Sequence, residues 1–375
     1  MPWQLSGNGR SGWSTKLIRG LTAEAAASRD GSGVGNRPPS PLNMLLSRHT
    51  TRREFIALLG GAVWSFSAWA QQAAIPVIGW LNAGPAHDPL FANFTNVFRS
   101  ALMNAGYVEG QNVEIDFRWA EGDYTRLPVL ATELVAERVA LIVAGGPPAA
   151  LAAKAATASI PIVFTVGADP VTLGLVASLS HPGGNATGVN IVTDEIESKR
   201  LGLLHEVVPK ARTIAVLLNP KSPSFEAQSK DVREGARSSG IDIFILNAAS
   251  PVDIDQAFAT LGEKRPGALL VGSDPFLVSA RKQLVELAAR QAIPAMYMDR
   301  DTTAIGGLMS YSISLPDAYR QAASYVSRIL KGEKPSDLPV IRPTKFELAI
   351  NLKTAKQLGL NLSSGLLSIA DEVIE

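Results

Sequence analysis

From residue 75 onward, short apolar runs rich in Val, Ile and Leu alternate with longer stretches whose apolar positions recur every three to four residues. The first pattern is that of buried strands and the second that of amphipathic helices. The first half of this region predicts strands over 76–81, 113–118, 140–143 and 160–165, with helices over 91–105, 126–137 and 149–158. The second half predicts strands over 213–218, 242–246, 268–271 and 293–298, with helices over 225–238, 252–264 and 277–291. Landmarks in the two halves keep nearly constant offsets. Asn82 and Asn219 are 137 residues apart, the helix-stopping Gly106 and Gly240 are 134 apart, and the Ile-Pro pairs at 160 and 293 are 133 apart. Two similar α/β units with parallel strands and right-handed crossovers are therefore expected.

In such sheets, ligands bind beyond the carboxyl ends of the strands, which turns attention to the loops that follow them. The strand over 160–165 runs into Val166-Gly167-Ala168-Asp169-Pro170, then a short predicted helical segment over 171–179 and a second turn at His181-Pro182-Gly183-Gly184-Asn185. Gly145-Gly146-Pro147 precedes a predicted helix, where backbone N–H groups and the helix dipole favour an anion. Past residue 300 the pattern predicts a strand over 306–312, an amphipathic helix over 317–331, a linker around Lys331-Gly332-Glu333-Lys334-Pro335, a strand over 346–352 and a helix over 353–358.

Composition removes several classes of chemistry. The chain has no cysteine, so disulfides, thiolate catalysis and Cys-ligated metals are excluded, and its four histidines, at 49, 87, 181 and 205, show no metal-ligand spacing. No cofactor is expected. The formal charge of +1 hides an uneven spread: residues 1–70 hold eight Lys/Arg and three Asp/Glu, leaving 27 positive and 31 negative residues beyond them. That is no nucleic-acid footprint. Neither a G-x-S-x-G elbow, nor a Walker loop, nor G-x-G-x-x-G occurs. Asp169, Asp274, Asp299 and Asp301 are possible paired acids, but carboxylates at such turns commonly cap helices. Residues 1–43, rich in Gly, Ser, Pro and Arg, read as a disordered or untranslated extension. Residues 44–70 read as an export signal: Thr51-Arg52-Arg53-Glu54-Phe55-Ile56 resembles the twin-arginine motif, a short apolar run follows, and Ala68-Trp69-Ala70 is a small-x-small cleavage site. A soluble periplasmic protein is expected after cleavage near Ala70.

Beyond these patterns the chain carries Gly167-Ala168-Asp169-Pro170-Val171 and His181-Pro182-Gly183-Gly184-Asn185-Ala186-Thr187-Gly188. It also carries Leu218-Asn219-Pro220, Gly306-Gly307-Leu308-Met309-Ser310-Tyr311 and Pro343-Thr344-Lys345-Phe346-Glu347-Leu348-Ala349-Ile350-Asn351. In this combination, covering 75–375, it resembles the substrate-binding components of ABC transporters, in the tryptophan/tyrosine-binding-like family. The resemblance implies a type I periplasmic binding protein fold: two doubly wound, Rossmann-like parallel-sheet lobes joined by a three-strand hinge. It implies residues 75–190 plus 307–335 as the first lobe and 191–306 plus 336–375 as the second, with chain crossings near 188–192, 303–307 and 335–342. It further implies a monomer that binds a small molecule, an amino acid or aromatic acid, without catalysis, and delivers it to a membrane permease and its ATPase. An exported sensor of the same fold, or a hydrolase or transferase using cleft carboxylates, are the alternatives. Candidate ligand contacts are Asn82, Gly145, Gly146, Thr165, Gly167 and Asp169 from the first lobe. From the second they are Asn219, Ser222, Ser273 and Asp274, with Tyr297 and Tyr311 as apolar walls or, equally, core residues. Asp274 is the first choice to accept a ligand ammonium, and the helix start after Gly146 to hold a carboxylate.

Overall fold

The computed structural model describes residues 75–191 and 196–375, which fall in one compact unit, Ala73–Glu375. The extension over 1–43, the export segment over 44–70 and residue 192 at the end of the first expected crossing lie outside the described residues. Among the described residues the strands form two sheets. The first contains β1 (Val77–Asn82), β2 (Glu114–Trp119), β3 (Leu141–Gly145), β4 (Ile162–Val166) and β5 (Ala186–Asn190), in the all-parallel order β2-β1-β3-β4-β5. The second contains β6 (Thr213–Leu218), β7 (Asp242–Asn247), β8 (Ala268–Val271), β9 (Ala295–Tyr297), β10 (Met309–Ile313), β11 (Phe346–Asn351) and β12 (Glu372–Ile374). Its order is β12-β11-β10-β9-β8-β6-β7, parallel except for the β10–β11 pair. Each sheet is the core of one lobe, and the doubly wound α/β architecture expected from the alternating pattern is present.

Helices cover both faces of each sheet, which is why the central strands read as unbroken apolar runs. On one face of the first sheet lie α1 (Pro89–Asn104) and α10 (Leu315–Leu330). Helix α1 starts where Asp88 caps the Leu90 N–H and Pro89 takes the first helical position, and it buries Leu90, Phe91, Phe94, Phe98 and Leu102 at helical spacing. The opposite face is covered by α2 (Leu127–Ala136) and α3 (Pro147–Ala156). On the second sheet, α4 (Ile196–Val207), α5 (Phe225–Ser239) and α11 (Leu352–Gln357) pack on one side. On the other side are α6 (Pro251–Lys264), α7 (Pro275–Ser279) and α8 (Arg281–Arg290). The short helices α9 (Arg300–Ala304) and α12 (Ser364–Ser368) complete this lobe.

Four details differ from the sequence expectation. The strand at 309–313 is hydrogen-bonded between β9 and β11, so residues 307–313 belong to the second lobe, and the chain crosses at Ser314 rather than at 303–307. A strand's own pattern does not say which sheet will pair with it. Conversely, residues 338–341 belong to the first lobe. Thr187 Oγ1 donates to the Leu338 carbonyl, Val189 forms a β-bridge with Ile341, and the return crossing lies between Ile341 and β11. The segment over 171–179 is a series of turns, because Asp169 caps only one turn and Gly174 takes a left-handed φ of 71°. The helix expected over 277–291 is interrupted at Ala280 into α7 and α8.

Candidate functional site

The carboxyl ends of β1, β3, β4, β8 and β9 converge where the lobes face each other, and there they enclose a predominantly apolar cavity of about 70 Å³. On that measure one water needs about 10–15 Å³, so the space holds several heavy atoms. The first lobe contributes Asn82, Phe91, Phe94, Gly145, Gly146, Pro147, Thr165, Gly167, Ala318 and Tyr319. Ile191 and Leu315 line it from hinge segments, and Ser273, Asp274, Pro275, Val278 and Met298 close it from the second lobe.

The first-lobe wall is built around aromatic rings. Tyr319 stacks on Phe94 at 4.8 Å between centroids and on the buried Trp80 at 5.5 Å. Burial raises the Tyr319 phenol above its ordinary value, so it stays neutral. Asn82 accepts the Gly84 N–H at 2.8 Å through Oδ1 and points Nδ2 at the Tyr319 hydroxyl, 3.4 Å away. Gly145 permits this approach: a Cβ there would collide with the Asn82 amide and lie 2.9 Å from the Tyr319 hydroxyl. Thr165 Oγ1 is buried beside these groups with no hydrogen-bond partner of normal geometry. The start of α3 differs from the expected anion cradle. Its first two residues, Pro147 and Pro148, carry no N–H, and the Gly146 N–H is already given to the Thr165 carbonyl at 2.8 Å. The helix dipole remains there, but most of the donors do not.

The second-lobe wall sets the polar Ser273 and Asp274 beside Pro275, Val278 and Met298. Asn219 repeats the turn of Asn82, accepting the Lys221 N–H at 3.0 Å, but its Nδ2 donates to Asp274 Oδ1 at 2.9 Å. Asp274 caps α7 by accepting the Phe276 and Leu277 N–H groups at 3.0 and 3.3 Å. Burial pushes its carboxyl above the ordinary range, against the hydrogen bonds from Asn219 and Tyr124 that hold it down, with Ser222 adjacent. Ser273 is fixed from beneath by a fully buried ion pair. Arg200 donates to Glu197 at 2.6 Å and to the Val271 carbonyl at 2.7 Å, and Glu197 in turn accepts the Ser273 hydroxyl at 2.8 Å. Gln228 brackets the same residue, donating to the Ser273 carbonyl at 2.8 Å.

The lobes also bond each other directly. Tyr124, from the 3-10 turn Tyr124–Arg126 that leads into α2, donates to both Asp274 oxygens at 3.0 Å and accepts the Phe276 N–H at 3.1 Å. Arg281 makes a two-pronged ion pair with Asp88, at 2.6 and 2.9 Å. Val278 packs into the first-lobe core, Tyr124 packs against the second-lobe core, and a Cβ on Gly146 would come within 3.0 Å of Pro275. The cleft is closed.

Of the residues nominated from sequence, Asn82, Gly145, Gly146, Thr165, Gly167, Ser273 and Asp274 come together around the cavity. Asn219 and Ser222 stand behind Asp274. Asp169 lies outside, spent on its own turn through Val171 and Thr172. Tyr297 is a core residue of the second lobe, and Tyr311 stacks on Phe346 beside the β10–β11 pair. Phe91, Phe94, Tyr319 and Tyr124 were not among the nominated residues. The first three sit on the apolar stripes of α1 and α10, where a cavity-facing ring and a core ring have the same helical spacing. Tyr124 opens a 3-10 turn capped by Asp123, with residues 120–123 between it and the end of β2, and a lone ring in a loop carries no periodic signal.

A family model for ABC transporter substrate binding proteins matches residues 86–374. The chain belongs to that family. The substrate-binding protein is 30% identical, over 264 residues, to a tyrosine-binding protein of Clostridioides difficile (strain R20291), a match spanning 70% of this chain and 75% of the relative. Among solved structures, it is similar to an ABC domain from Streptococcus pneumonia in complex with L-Trp, at 26% identity and a TM-score of 0.74, covering 80% of this chain and all of that one. A ligand-free, open substrate-binding protein with adhesive properties from Clostridium difficile is 27% identical, covers 80% of this chain and 99% of that one, and gives a TM-score of 0.57. The better superposition on the liganded relative accords with the lobe–lobe bonds described above.

Proposed function

We propose that this substrate-binding protein is the solute receptor of an ABC importer, exported to the periplasm and matured near Ala70. It would capture a small molecule with an aromatic body between its lobes and present it, unaltered, to a membrane permease and its ATPase. The observation that carries this reading is the enclosed cavity, which both lobes line. Aromatic rings form one wall, the buried Thr165 hydroxyl beside Tyr319 makes no hydrogen bond of normal geometry, and a carboxylate stands opposite. A ligand touching both lobes stabilises the closed form by its differential contacts.

An aromatic α-amino acid fits this distribution, as the names of the relatives suggest. Its ring would lie against Phe91, Phe94 and Tyr319. Its carboxylate would take hydrogen bonds from Thr165 Oγ1 and Asn82 Nδ2, since the prolines leave α3 few donors. Its ammonium would approach Asp274 Oδ2, which carries fewer of the bonds described above than Oδ1. A thermal-shift series with L-tryptophan, L-tyrosine, aromatic acids and small amides tests the proposal. A binder at 100 times its dissociation constant stabilises by about 2.7 kcal/mol. No shift with any of them, or turnover of a bound compound, would count against it. Export is tested separately: Arg52→Lys with Arg53→Lys should hold the precursor in the cytoplasm, and unchanged periplasmic yield would point to the general secretory route.

A further inference from the structure

Asp88 and Arg281 do not line the cavity, yet they join the two helical segments that wall it. Asp88 is the cap of α1, whose next turn carries Phe91 and Phe94. Arg281 opens α8, directly behind the α7 residues Pro275 and Val278. Their guanidinium–carboxylate contact is two-pronged, with Arg281 further anchored by donating to the Val278 carbonyl at 3.1 Å. In the closed protein the side chains are only 6% and 13% exposed. Opening the cleft returns both ions to water and breaks the pair, because one partner rides on each lobe. A geometry of this kind is the strong form of ion pair, and shielding from solvent leaves it little screened. Nothing in it depends on a cargo.

We infer that Asp88 and Arg281 form a clasp that holds the lobes together in its own right, so that two residues remote from the ligand set how long the ligand stays. The inference rests on the cavity being the ligand site, but it also speaks about the empty protein. A contact made only after closure slows release, and by keeping the empty lobes together it also delays capture, since encounter takes place with the lobes apart. Truncating one partner of a hydrogen-bonded, shielded charge pair speeds dissociation by a large factor, roughly 10–100-fold at this degree of exposure. Asp88 has a second duty as helix cap, and asparagine caps as well as aspartate. Asp88→Asn therefore removes the charge while keeping α1 intact.

The test compares the parent with Arg281→Ala, Asp88→Asn and the double variant. In small-angle scattering of the ligand-free proteins, all three variants should show a larger radius of gyration than the parent. With L-tryptophan as the probe, stopped-flow dissociation should be about 10–100-fold faster in each single variant, with association no slower than the parent's because the empty variants are open more of the time. The double variant should be no faster than the singles, because the pair is broken once, and Arg281→Lys should recover part of the loss. Radii equal to the parent's in both single variants would overturn the clasp. Additive effects in the double variant would overturn it too, since they would mean that each residue acts alone. If L-tryptophan does not bind the parent, the cargo assignment fails, and the scattering comparison still decides the clasp.

Discussion

The two lobes start from one plan and diverge in chemistry at the cleft. Asn82 and Asn219 end equivalent strands and make the same side-chain-to-backbone turn, yet one directs its amide at a phenol and the other at a carboxylate. Gly146 and Asp274 occupy the same place before a proline-led helix: Gly146, at a φ of 90°, leaves α3 without a side-chain cap, while Asp274 caps α7 with its carboxylate. The first lobe therefore presents rings and open backbone, and the second presents charge held by a buried scaffold. A duplicated fold conserves the edge at which ligands gather and leaves the residues there free to specialise, so that a cargo with an apolar end and a polar end has one orientation.

The largest expected effect tests the scaffold of the polar lobe. Arg200→Met strands Glu197 in the core, where an unpaired buried charge costs roughly 3–5 kcal/mol. Denaturant titration should show that loss, and adding Glu197→Leu should restore most of it, with cargo binding still weakened because Ser273 loses its anchor. Full stability in the single variant would mean that the pair does not hold the lobe. Next come the paired glycines. Gly145→Ala forces Asn82 and Tyr319 apart, while Gly272→Ala pushes on Leu218 and Gln228 beneath the second-lobe wall. Each overpacks by about 1–3 kcal/mol, but the first should be read mainly in affinity and the second mainly in melting temperature. Equal effects on both readouts would erase the contrast.

A smaller effect is expected at the junction. Tyr124→Phe removes the hydroxyl shared by Asp274 and the Phe276 N–H, at about 1–1.5 kcal/mol or roughly tenfold in cargo affinity. An unchanged dissociation constant by calorimetry would show that the bridge is not needed for closure. The smallest concerns pH. Burial raises the Asp274 carboxyl in the closed protein, so closing takes up a proton relative to an exposed aspartate. Closure of the empty protein, read as the radius of gyration against pH, should be most favoured below the ordinary carboxylate range. It should weaken as pH rises through the raised closed-state value and level off above it, whereas a bound ammonium needs the carboxylate charged and draws that value back down. Asp274→Asn should flatten the profile, and a parent profile that is already flat would assign the proton elsewhere.

Much of the architecture was legible because each strand and helix of the two halves has its own period and stop signal. The matching offsets of Asn82 with Asn219 and Gly106 with Gly240 carried the duplication. What the pattern could not convey was partnership. Residues 309–313 have the alternation of a strand in either sheet, and only the pairing with β9 and β11 assigns them. The polar half of the site was readable because Thr165 lies at the end of β4 and Ser273 and Asp274 just past β8, at the carboxyl edge that faces the cleft. The aromatic half was not, since Phe94 and Tyr319 obey the same helical spacing as Phe98 and Ala322 behind them. The failure of the expected anion cradle, by contrast, was written in the sequence: Pro147-Pro148 announces two missing donors.

The stacking of Trp80 on Tyr319 has an optical consequence. Trp80 and Trp119 are the only tryptophans after residue 74, and both sit in the aromatic cluster of the first lobe, their rings 6.3 Å apart. The second lobe has none. Tryptophan emission from residues 75–375 is therefore a one-sided probe: a guest that shifts Tyr319 perturbs the neighbouring indole, while rearrangements confined to the opposite lobe leave both indoles untouched. The protein carries its own unlabelled fluorophore for following occupancy, placed one ring behind the wall that the guest would touch.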